Sequence, residues 1–399
     1  MRIALISDAY PPMRTSAAVQ LRDLSQEMLR QGHLPIVMIP CADLNRPWSL
    51  ENMNGVQVLR LKAPRTKDIG YVRRTINEFC LPFLMLRNLR KSPFAEVRWE
   101  GVVWYSPTIF LGPIANALKK ASGCRSYLIV RDIFPEWAVD MGLMGRGLPY
   151  RFFKAVERYQ YDVADVIGVQ TAANLPYFDY WAKQGGRRLE VLQNWLAVAP
   201  DVDASITVAN GPLAGRTIFV YAGNMGVAQG MDVLIDLAER LLSRHDIGFL
   251  FVGRGSDAQR LRADAKARRL NNVSFYDEID PSEIPGLYSQ CHAGIVALDP
   301  RHKTHNIPGK FLSYMQAGLP VLASINPDNN LAELIQNEGV GRVCTDHSVD
   351  TLQRLAVELV EEITSGKCLA TRCHAVSAKL FLPETAVKQI VAGLVLKEV

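Results

Sequence analysis

Apolar runs that end in glycine and pass directly into helical repeats dominate residues 216–339. The run Thr217–Ala222 stops at Gly223, and the run Ile247–Val252 stops at Gly253. Each is followed by apolar residues at the spacing of a helix face. Strands that end in glycine and feed helices place free backbone N–H groups at the carboxyl edge of a parallel sheet. This stretch therefore predicts a parallel α/β domain with a phosphate-binding edge.

Strand and helix patterns alternate along the whole chain of 399 residues, which predicts the α/β class throughout. We predict a first domain at residues 1–196 and a second at residues 216–380. Residues 197–215, between them, are rich in Ala, Pro, Asp and Gly and show no periodic apolar face, which indicates a linker. Residues 381–399 contain a final helix that begins at Pro383.

Composition narrows the class of protein. Hydrophobic residues make up 48% and charged residues 21% of the chain, as in an ordinary globular enzyme. No segment reads as a membrane span or a secretory signal, so we expect a cytoplasmic protein. The seven cysteines form no C-x-x-C pair, which favours neither a disulfide framework nor a metal site. We expect no cofactor.

Charge is distributed unevenly between the two halves. The chain has a formal net charge of +5, and its basic residues are concentrated in residues 1–200. A basic half indicates an anionic partner. An anionic membrane surface or a pyrophosphate-bearing acceptor fits this half better than nucleic acid, because no nucleic-acid-binding motif is present.

Four segments, taken in order, resemble one known enzyme family. They are Met1–Pro12, Leu128–Trp137, Leu192–Trp195 and Gly223–Gly230. They are similar to the GT-B glycosyltransferases of family 4, which include sucrose synthases, mannosyltransferases and O-antigen transferases. The resemblance covers nearly the whole chain. Within this family, the sequence of this chain at Arg131–Ala138 most resembles that of the N-acetyl-L-fucosamine transferases of bacterial O-antigen and capsule clusters.

The resemblance implies two Rossmann-like domains that face each other across a cleft. Residues 1–196 would be the acceptor side, residues 216–380 would bind the nucleotide sugar, and residues 381–399 would cross back to the first domain. It further implies metal-independent, retaining transfer of a sugar from a UDP-sugar donor to a polyprenyl-pyrophosphate-linked saccharide. Two alternatives stay open: a nucleotide-sugar 2-epimerase, and a non-catalytic sugar-nucleotide-binding protein.

Lys310 is the first candidate for a catalytic residue. It follows Pro308 and Gly309 at the start of a predicted helix. Its ammonium and the free N–H groups of the first turn could therefore neutralise the charge that develops on a leaving diphosphate. The alternative is a solvated lysine on an ordinary helix.

The chain departs from the family pattern at four donor-side positions. Asn224 and Gln229 stand where many members carry Arg and Lys, and His305 and Ser313 stand where members carry two glutamates. Glu333 lies where relatives place an acid near the nucleotide, although it could equally be an acid of a helical first turn. The predicted donor-binding set is Gly223, Asn224, Gly226, Gln229, Gly253, His305, Pro308, Gly309, Ser313 and Glu333.

Arg131 and Asp132 are the other two candidate catalytic residues; they end an apolar strand of the first domain and are predicted to face the cleft. Asp132 could bind a sugar hydroxyl and Arg131 a phosphate, and the alternative is a buried structural ion pair. Asp8 follows the first strand. Ser16 and Ala17 stand where many relatives carry paired glycines, so a close backbone approach is retained.

Residues 73–91 combine basic and apolar side chains. Such a segment can lie in a membrane interface while its cations meet anionic lipid. The alternative is a helix that is buried on one face and has a basic outer edge. The residues predicted to contact a membrane are Arg73, Arg74, Phe83, Leu86, Arg87, Arg90 and Lys91.

Overall fold

The computed structural model describes residues 1–13, 15–67, 69–198, 202–301, 307–327, 329–366 and 368–395. The chain divides into two compact units. The first unit is Met1–Trp195 together with Pro383–Val399, and the second is Leu196–Leu382. The observed boundary lies one residue before the predicted end of the first domain at residue 196. The final helix belongs to the first unit.

The first unit is built on an eight-stranded sheet with the order β3-β4-β2-β1-β5-β6-β7-β8. All neighbours in it are parallel except the β3–β4 pair. The strands are β1 (Arg2–Ile6), β2 (Leu34–Cys41), β3 (Trp48–Met53), β4 (Val56–Lys62), β5 (Gly101–Tyr105), β6 (Arg125–Ile129), β7 (Val166–Val169) and β8 (Arg188–Val191).

The helices of the first unit cover both faces of this sheet. They are α1 (Ser16–Arg30), α2 (Tyr71–Leu89), α3 (Gly112–Ser122), α4 (Glu136–Asp140), α5 (Leu148–Val163) and α6 (Asp179–Ala182), with a 3-10 helix at Ala172–Phe178. The last helix of the chain, which is numbered α14 below, spans Pro383–Val395. Helix α1 starts where it does because the side chain of Thr15 accepts a hydrogen bond from the N–H of Ala18.

Two apolar layers bury the sheet of the first unit. Successive residues of β1 point to opposite faces, so that Ala4 belongs to one core cluster and Leu5 to the other. Burial on both faces explains why the strands read as continuous apolar runs. Val387 and Ile390 of α14 are fully buried in the same cluster as Leu5.

The second unit has a six-stranded parallel sheet with the order β11-β10-β9-β12-β13-β14. The strand order reverses between β9 and β12, and open α/β sheets bind ligands at the carboxyl edge beside such a reversal. The strands are β9 (Thr217–Ala222), β10 (Ile247–Val252), β11 (Val273–Tyr276), β12 (Ala293–Ala297), β13 (Val321–Ser324) and β14 (Gly341–Cys344).

Helices also cover both faces of the second sheet. They are α7 (Asp232–Arg240), α8 (Ala258–Ala267), α9 (Ile284–Tyr288), α10 (Gly309–Gln316), α11 (Asn330–Glu338), α12 (Val349–Thr364) and α13 (Leu369–Leu380), with 3-10 helices at Val227–Gln229 and Pro281–Glu283. As in the first unit, alternate strand residues enter two separate clusters, Val220 in one and Phe219 in the other.

The predicted linker at residues 197–215 is not an independent linker. Ile206, Val208 and Leu213 are buried in the core of the second unit. The side chain of Gln290 fixes the segment by accepting a hydrogen bond from the N–H of Val208 and donating one to the carbonyl of Ile206. The sequence prediction failed because these three apolar residues follow neither a helical nor a strand period.

Across the residues that the structure describes, no helix combines the length and the apolar composition needed to cross a lipid bilayer.

Replacement of Ile390 by Ala tests whether α14 stabilises the first unit. Ile390 is fully buried, so we expect a loss of about 2–5 kcal/mol of unfolding free energy. All six tryptophans lie in the first unit, and their fluorescence during urea unfolding reports on that unit.

The matched control is Lys388→Ala on the same helix, where the side chain is 66% exposed and the expected change is within about 0.5 kcal/mol. Equal effects of the two substitutions would show that α14 does not hold the unit together.

Candidate functional site

Two glycine turns meet at the carboxyl edge of the second sheet. Gly223 after β9 and Gly253 after β10 have φ angles of +144° and +142°. A Cβ on Gly253 would lie 2.0 Å from the carbonyl oxygen of Gly223, and a Cβ on Gly255 would lie 2.2 Å from that of Met225. Only glycine allows this approach of backbone to backbone. The two turns therefore form a compact edge.

The side chain of Lys310 reaches this edge from the first turn of α10. Its Nζ lies 4.7 Å from the centroid of the Tyr221 ring, and its Cε would be 3.7 Å from a Cβ on Gly223. Burial lowers the pKa of Lys310 to about 8, and no neighbouring charge contributes to the shift. An anion beside Nζ would stabilise the protonated form. This half-buried ammonium is thus suited to receive a phosphate.

Pro308 and Gly309, predicted with Lys310, lie at the start of the same helix. Pro308 is the N-cap residue of α10, and the helix begins at Gly309. The first N–H groups of a helix lack partners within the helix and favour negative charge. The structure therefore brings Lys310, a helix start and the Gly223 turn together.

Asn224 and Gln229 bond to each other within the loop that follows β9. Asn224 Nδ2 donates to Gln229 Oε1 at 3.1 Å, and the Gly226 N–H donates to the same oxygen at 3.0 Å. The loop is therefore closed by neutral amides. Among the predicted donor-side residues that the structure describes, Lys310 is the cation at this edge.

Ser313 and Glu333 are engaged locally. The Ser313 hydroxyl donates to the Gly309 carbonyl one turn earlier, at 3.3 Å. Glu333 is exposed in the first turn of α11 and accepts a hydrogen bond from Asn330 Nδ2 at 3.3 Å. This geometry agrees with the reading of Glu333 as a first-turn acid. The predicted donor residue His305 lies outside the described residues.

The carboxyl edge carries polar residues that the sequence reasoning missed. Asp299, just after β12, is buried and accepts two hydrogen bonds from Arg301, each of 2.8 Å. His347, after β14, has a φ angle of +53°, and its ring nitrogens lie 3.4 Å from Ser324 Oγ and 3.1 Å from Asn326 Oδ1. The position of Asp299 after an apolar strand could have indicated it. No sequence signal marks His347.

Arg131 has a structural role in place of the predicted phosphate contact. It is buried, and its guanidinium donates to the carbonyl oxygens of Leu192 at 2.8 Å and Gln193 at 3.3 Å. It also lies 4.8 Å from the centroid of the Trp195 ring, which adds a cation–π contact. The terminal nitrogens donate to carbonyls, and the carboxylate of Asp132 also interacts electrostatically with the guanidinium. The neighbouring Asp132 is half-buried.

Asp8 lies at the carboxyl edge of the first sheet, just after β1. Its Oδ1 is buried and has no hydrogen-bond partner among the described residues, and its Oδ2 lies 4.0 Å from Lys67 Nζ. Burial raises the pKa of Asp8, against the opposing effect of Lys67. Ser16 and Ala17 form the start of α1, with Ser16 exposed and Ala17 half-buried.

Helix α2 carries the predicted membrane segment and is amphipathic. The predicted cations, Arg73, Arg74, Arg87, Arg90 and Lys91, are all exposed. Phe83 is 52% exposed. Leu86, by contrast, is half-buried and packs against the core of the first unit. Its assignment as a membrane contact is thus wrong, because it faces the sheet side of the helix.

Comparisons with known proteins agree with this architecture. Residues 216–362, which include all six strands of the second sheet, match the sequence family described as glycosyl transferases group 1. The sucrose-phosphate synthase of Thermosynechococcus elongatus aligns at 16% identity with a TM-score of 0.76, over 98% of this chain and 97% of that chain. HepE of Anabaena, solved in complex with UDP, aligns at 14% identity with a TM-score of 0.67, over 99% of both chains.

The fold is GT-B.

Two curated relatives are similar in sequence to the GT-B chain described here. WbjE of Pseudomonas aeruginosa, whose name assigns it to the glycosyltransferases, is 25% identical over 61% of this chain and 62% of that protein. WcaI of Escherichia coli, whose name assigns it to colanic acid biosynthesis, is 24% identical over 65% of this chain and 66% of that protein. The match spans just under two thirds of each relative. A shared GT-B fold does not itself define a substrate.

Replacement of Arg131 by Met separates the structural role from a phosphate-binding role. The carbonyl oxygens of Leu192 and Gln193 would lose their donors, so we expect the first unit to lose about 1–3 kcal/mol of unfolding free energy. The affinity for UDP, measured by calorimetry, should not change.

The control is Arg98→Met, because Arg98 is exposed in the same unit. Weaker UDP binding by the Arg131 variant, with its stability intact, would return Arg131 to the donor site.

Proposed function

We propose that this chain is a glycosyltransferase that moves N-acetyl-L-fucosamine from its UDP carrier to a polyprenyl-pyrophosphate-linked saccharide in bacterial O-antigen or capsule biosynthesis. The observation that carries the proposal is the half-buried ammonium of Lys310 beside the Gly223 turn and the start of α10. The similarity to WbjE and WcaI supports transfer, and the UDP bound to HepE, a protein of the same fold, supports a uridine donor.

The proposed reaction depends on electrostatic stabilisation of the leaving diphosphate more than on covalent catalysis. The bond between the anomeric carbon and the terminal phosphate oxygen breaks, and negative charge gathers on the UDP that leaves. The same carbon forms a bond to an acceptor hydroxyl oxygen, and the proton of that hydroxyl passes to the departing diphosphate. Lys310 Nζ and the free N–H groups of α10 would meet that charge, so we propose transfer that is independent of a metal ion. Retention of the anomeric configuration is part of the proposal through the family resemblance alone.

On the acceptor side, we propose that Asp8 and Asp132 bind hydroxyl groups of the acceptor saccharide. Asp8 Oδ1 is buried and lacks a hydrogen-bond partner among the described residues. An acceptor hydroxyl that donates to this oxygen would remove the cost of the unpaired buried atom. Ser16 and Ala17 would leave room for the sugar at the start of α1.

We also propose that the protein binds the anionic inner face of the plasma membrane from the cytoplasm, where a polyprenyl-linked acceptor is located. The exposed cations of residues 73–91 support this part of the proposal.

A second candidate function is non-catalytic binding of a sugar nucleotide. Ser313 donates to its own helix, and Asn224 bonds to Gln229, so these positions lack the charges common among relatives. An epimerase is not favoured by any of these contacts. Incubation with a panel of UDP-sugars, with and without a polyprenyl-pyrophosphate acceptor, distinguishes the functions: they predict a transferred sugar, an epimer, or binding alone.

Replacement of Lys310 by Ala should lower turnover at least about tenfold, because one charge-assisted contact to the leaving diphosphate is lost. The wild-type affinity for UDP should also fall as the pH rises through about 8, since the free ammonium then loses its proton. Turnover at saturating donor and calorimetric titration at several pH values measure the two effects.

The control is Lys310→Arg, which keeps its charge across this pH range and should show a flatter profile of UDP affinity against pH. A profile in the wild-type protein that is flat from pH 7 to 9.5 would remove Lys310 from the donor site.

Replacement of Ser313 by Glu tests whether the donor site is complete as it stands. If other groups hold the ribose, the new carboxylate should leave UDP affinity equal or weaker, because it adds negative charge one turn from Lys310. Clearly tighter UDP binding would instead favour the non-catalytic alternative, in which the site has lost a ribose contact.

A further inference from the structure

Exposed apolar side chains of α2 and α5 form one surface, which we call the two-helix surface. Its α2 residues lie at helical spacing on a single stripe, and Phe79 contacts Phe152 of α5 with ring centroids 6.1 Å apart. Its members and their exposed fractions are Val72 (77%), Ile76 (58%), Phe79 (47%), Phe83 (52%), Leu148 (79%) and Phe152 (40%). Contiguous exposure of this kind marks an interaction site more often than scattered exposure does.

Among the described residues, the exposed charges that border this surface are mainly cations; the acid Glu136 of α4, which interacts with Tyr150 and Arg146, is paired with Lys154 at 2.9 Å. Arg73, Arg87 and Arg90 on the α2 side and Arg146 and Arg151 beside α5 are all exposed. The sole acid of α2, Glu78, is 17% exposed at its side chain and is paired with Arg74 at 2.9 Å. The sole acid of residues 143–159, Glu157, is buried. An apolar stripe bordered by exposed cations complements an anionic lipid surface.

Aromatic contacts connect the surface to the acceptor-side edge of the first sheet. From Phe152, ring centroids lie 5.3 Å apart to Phe153 and then 5.1 Å apart to Phe134. Phe134 lies two residues after Asp132, at the carboxyl end of β6. The two-helix surface is therefore continuous with the segment that we propose for the acceptor.

We propose that the two-helix surface docks onto an anionic lipid bilayer, with Leu148 and Phe152 of the α5 side entering the interface beside Phe79 and Phe83. This inference rests on the proposed function only because the bilayer would hold the acceptor. It goes further by adding α5 to the membrane contact proposed for residues 73–91. Apolar burial holds the protein at the surface, and the cations select anionic lipid.

Vesicle flotation tests the contribution of α5. With vesicles of phosphatidylcholine and phosphatidylglycerol, Leu148→Ser combined with Phe152→Ser should lower the bound fraction at least about tenfold relative to wild type. Arg146→Gln combined with Arg151→Gln should lower binding to these vesicles and make it less sensitive to salt. Phosphatidylcholine alone should bind wild type much more weakly.

The matched control is Leu34→Ser, because Leu34 is 54% exposed elsewhere on the same unit. It should bind like wild type. Tryptophan fluorescence during urea unfolding checks that the Leu148 and Phe152 variants keep their fold, and their affinity for UDP should be unchanged.

Three results would overturn the inference. Wild-type binding by the Leu148 and Phe152 double variant, with binding lost on Phe79→Ser and Phe83→Ser, would restrict docking to α2. Equal recovery from neutral and anionic vesicles would remove the role of the cations. If the protein is a dimer, and Phe152→Ser dissociates the dimer but does not change flotation, the surface is an interface between copies of the chain. A protein that transfers no sugar but still shows the expected flotation pattern would refute the proposed function alone.

Discussion

The contact between the turns after β9 and β10 is the constraint on which the donor side of the molecule depends. A side chain on Gly253 would occupy the position of the Gly223 carbonyl, so the two backbones can meet only if Gly253 lacks a Cβ. Their approach fixes the carboxyl edge of the second sheet. The side chain of Lys310 then packs against Gly223 and the Tyr221 ring. The two glycine turns and the Lys310 ammonium are thus parts of one arrangement.

The buried Arg131 and the half-buried Lys310 show that removing a cation from solvent does not by itself define its role. Burial lowers the pKa of both Arg131 and Lys310. The Arg131 guanidinium is compensated by two backbone carbonyls and an aromatic ring, and it anchors the end of the first unit. Lys310 has an aromatic ring and no compensating charge. A ligand anion would give Lys310 the counter-charge that it lacks, whereas the Arg131 guanidinium already donates to two carbonyl oxygens.

Helix α2 of the first unit packs against the core with one face and exposes apolar side chains on the other. Along α2, Met85 and Leu89 are buried against the sheet while Phe79 and Phe83 remain exposed. A helix can divide its apolar residues in this way because positions three or four apart share a face. The exposed stripe lies next to an equally exposed segment of α5, and neither helix alone presents the whole surface.

The sequence by itself determined the α/β class, the approximate extent of both domains, the glycine turn at Gly223 and the helix start at Pro308 and Gly309, because period, glycine and proline are local properties. Family resemblance added the GT-B fold. Tertiary structure alone decided that Arg131 bonds to carbonyls, that Leu86 faces the core, and that residues 206–213 belong to the second unit. Those outcomes depend on which distant groups meet, and a spacing pattern contains no information about partners that are far apart in the chain.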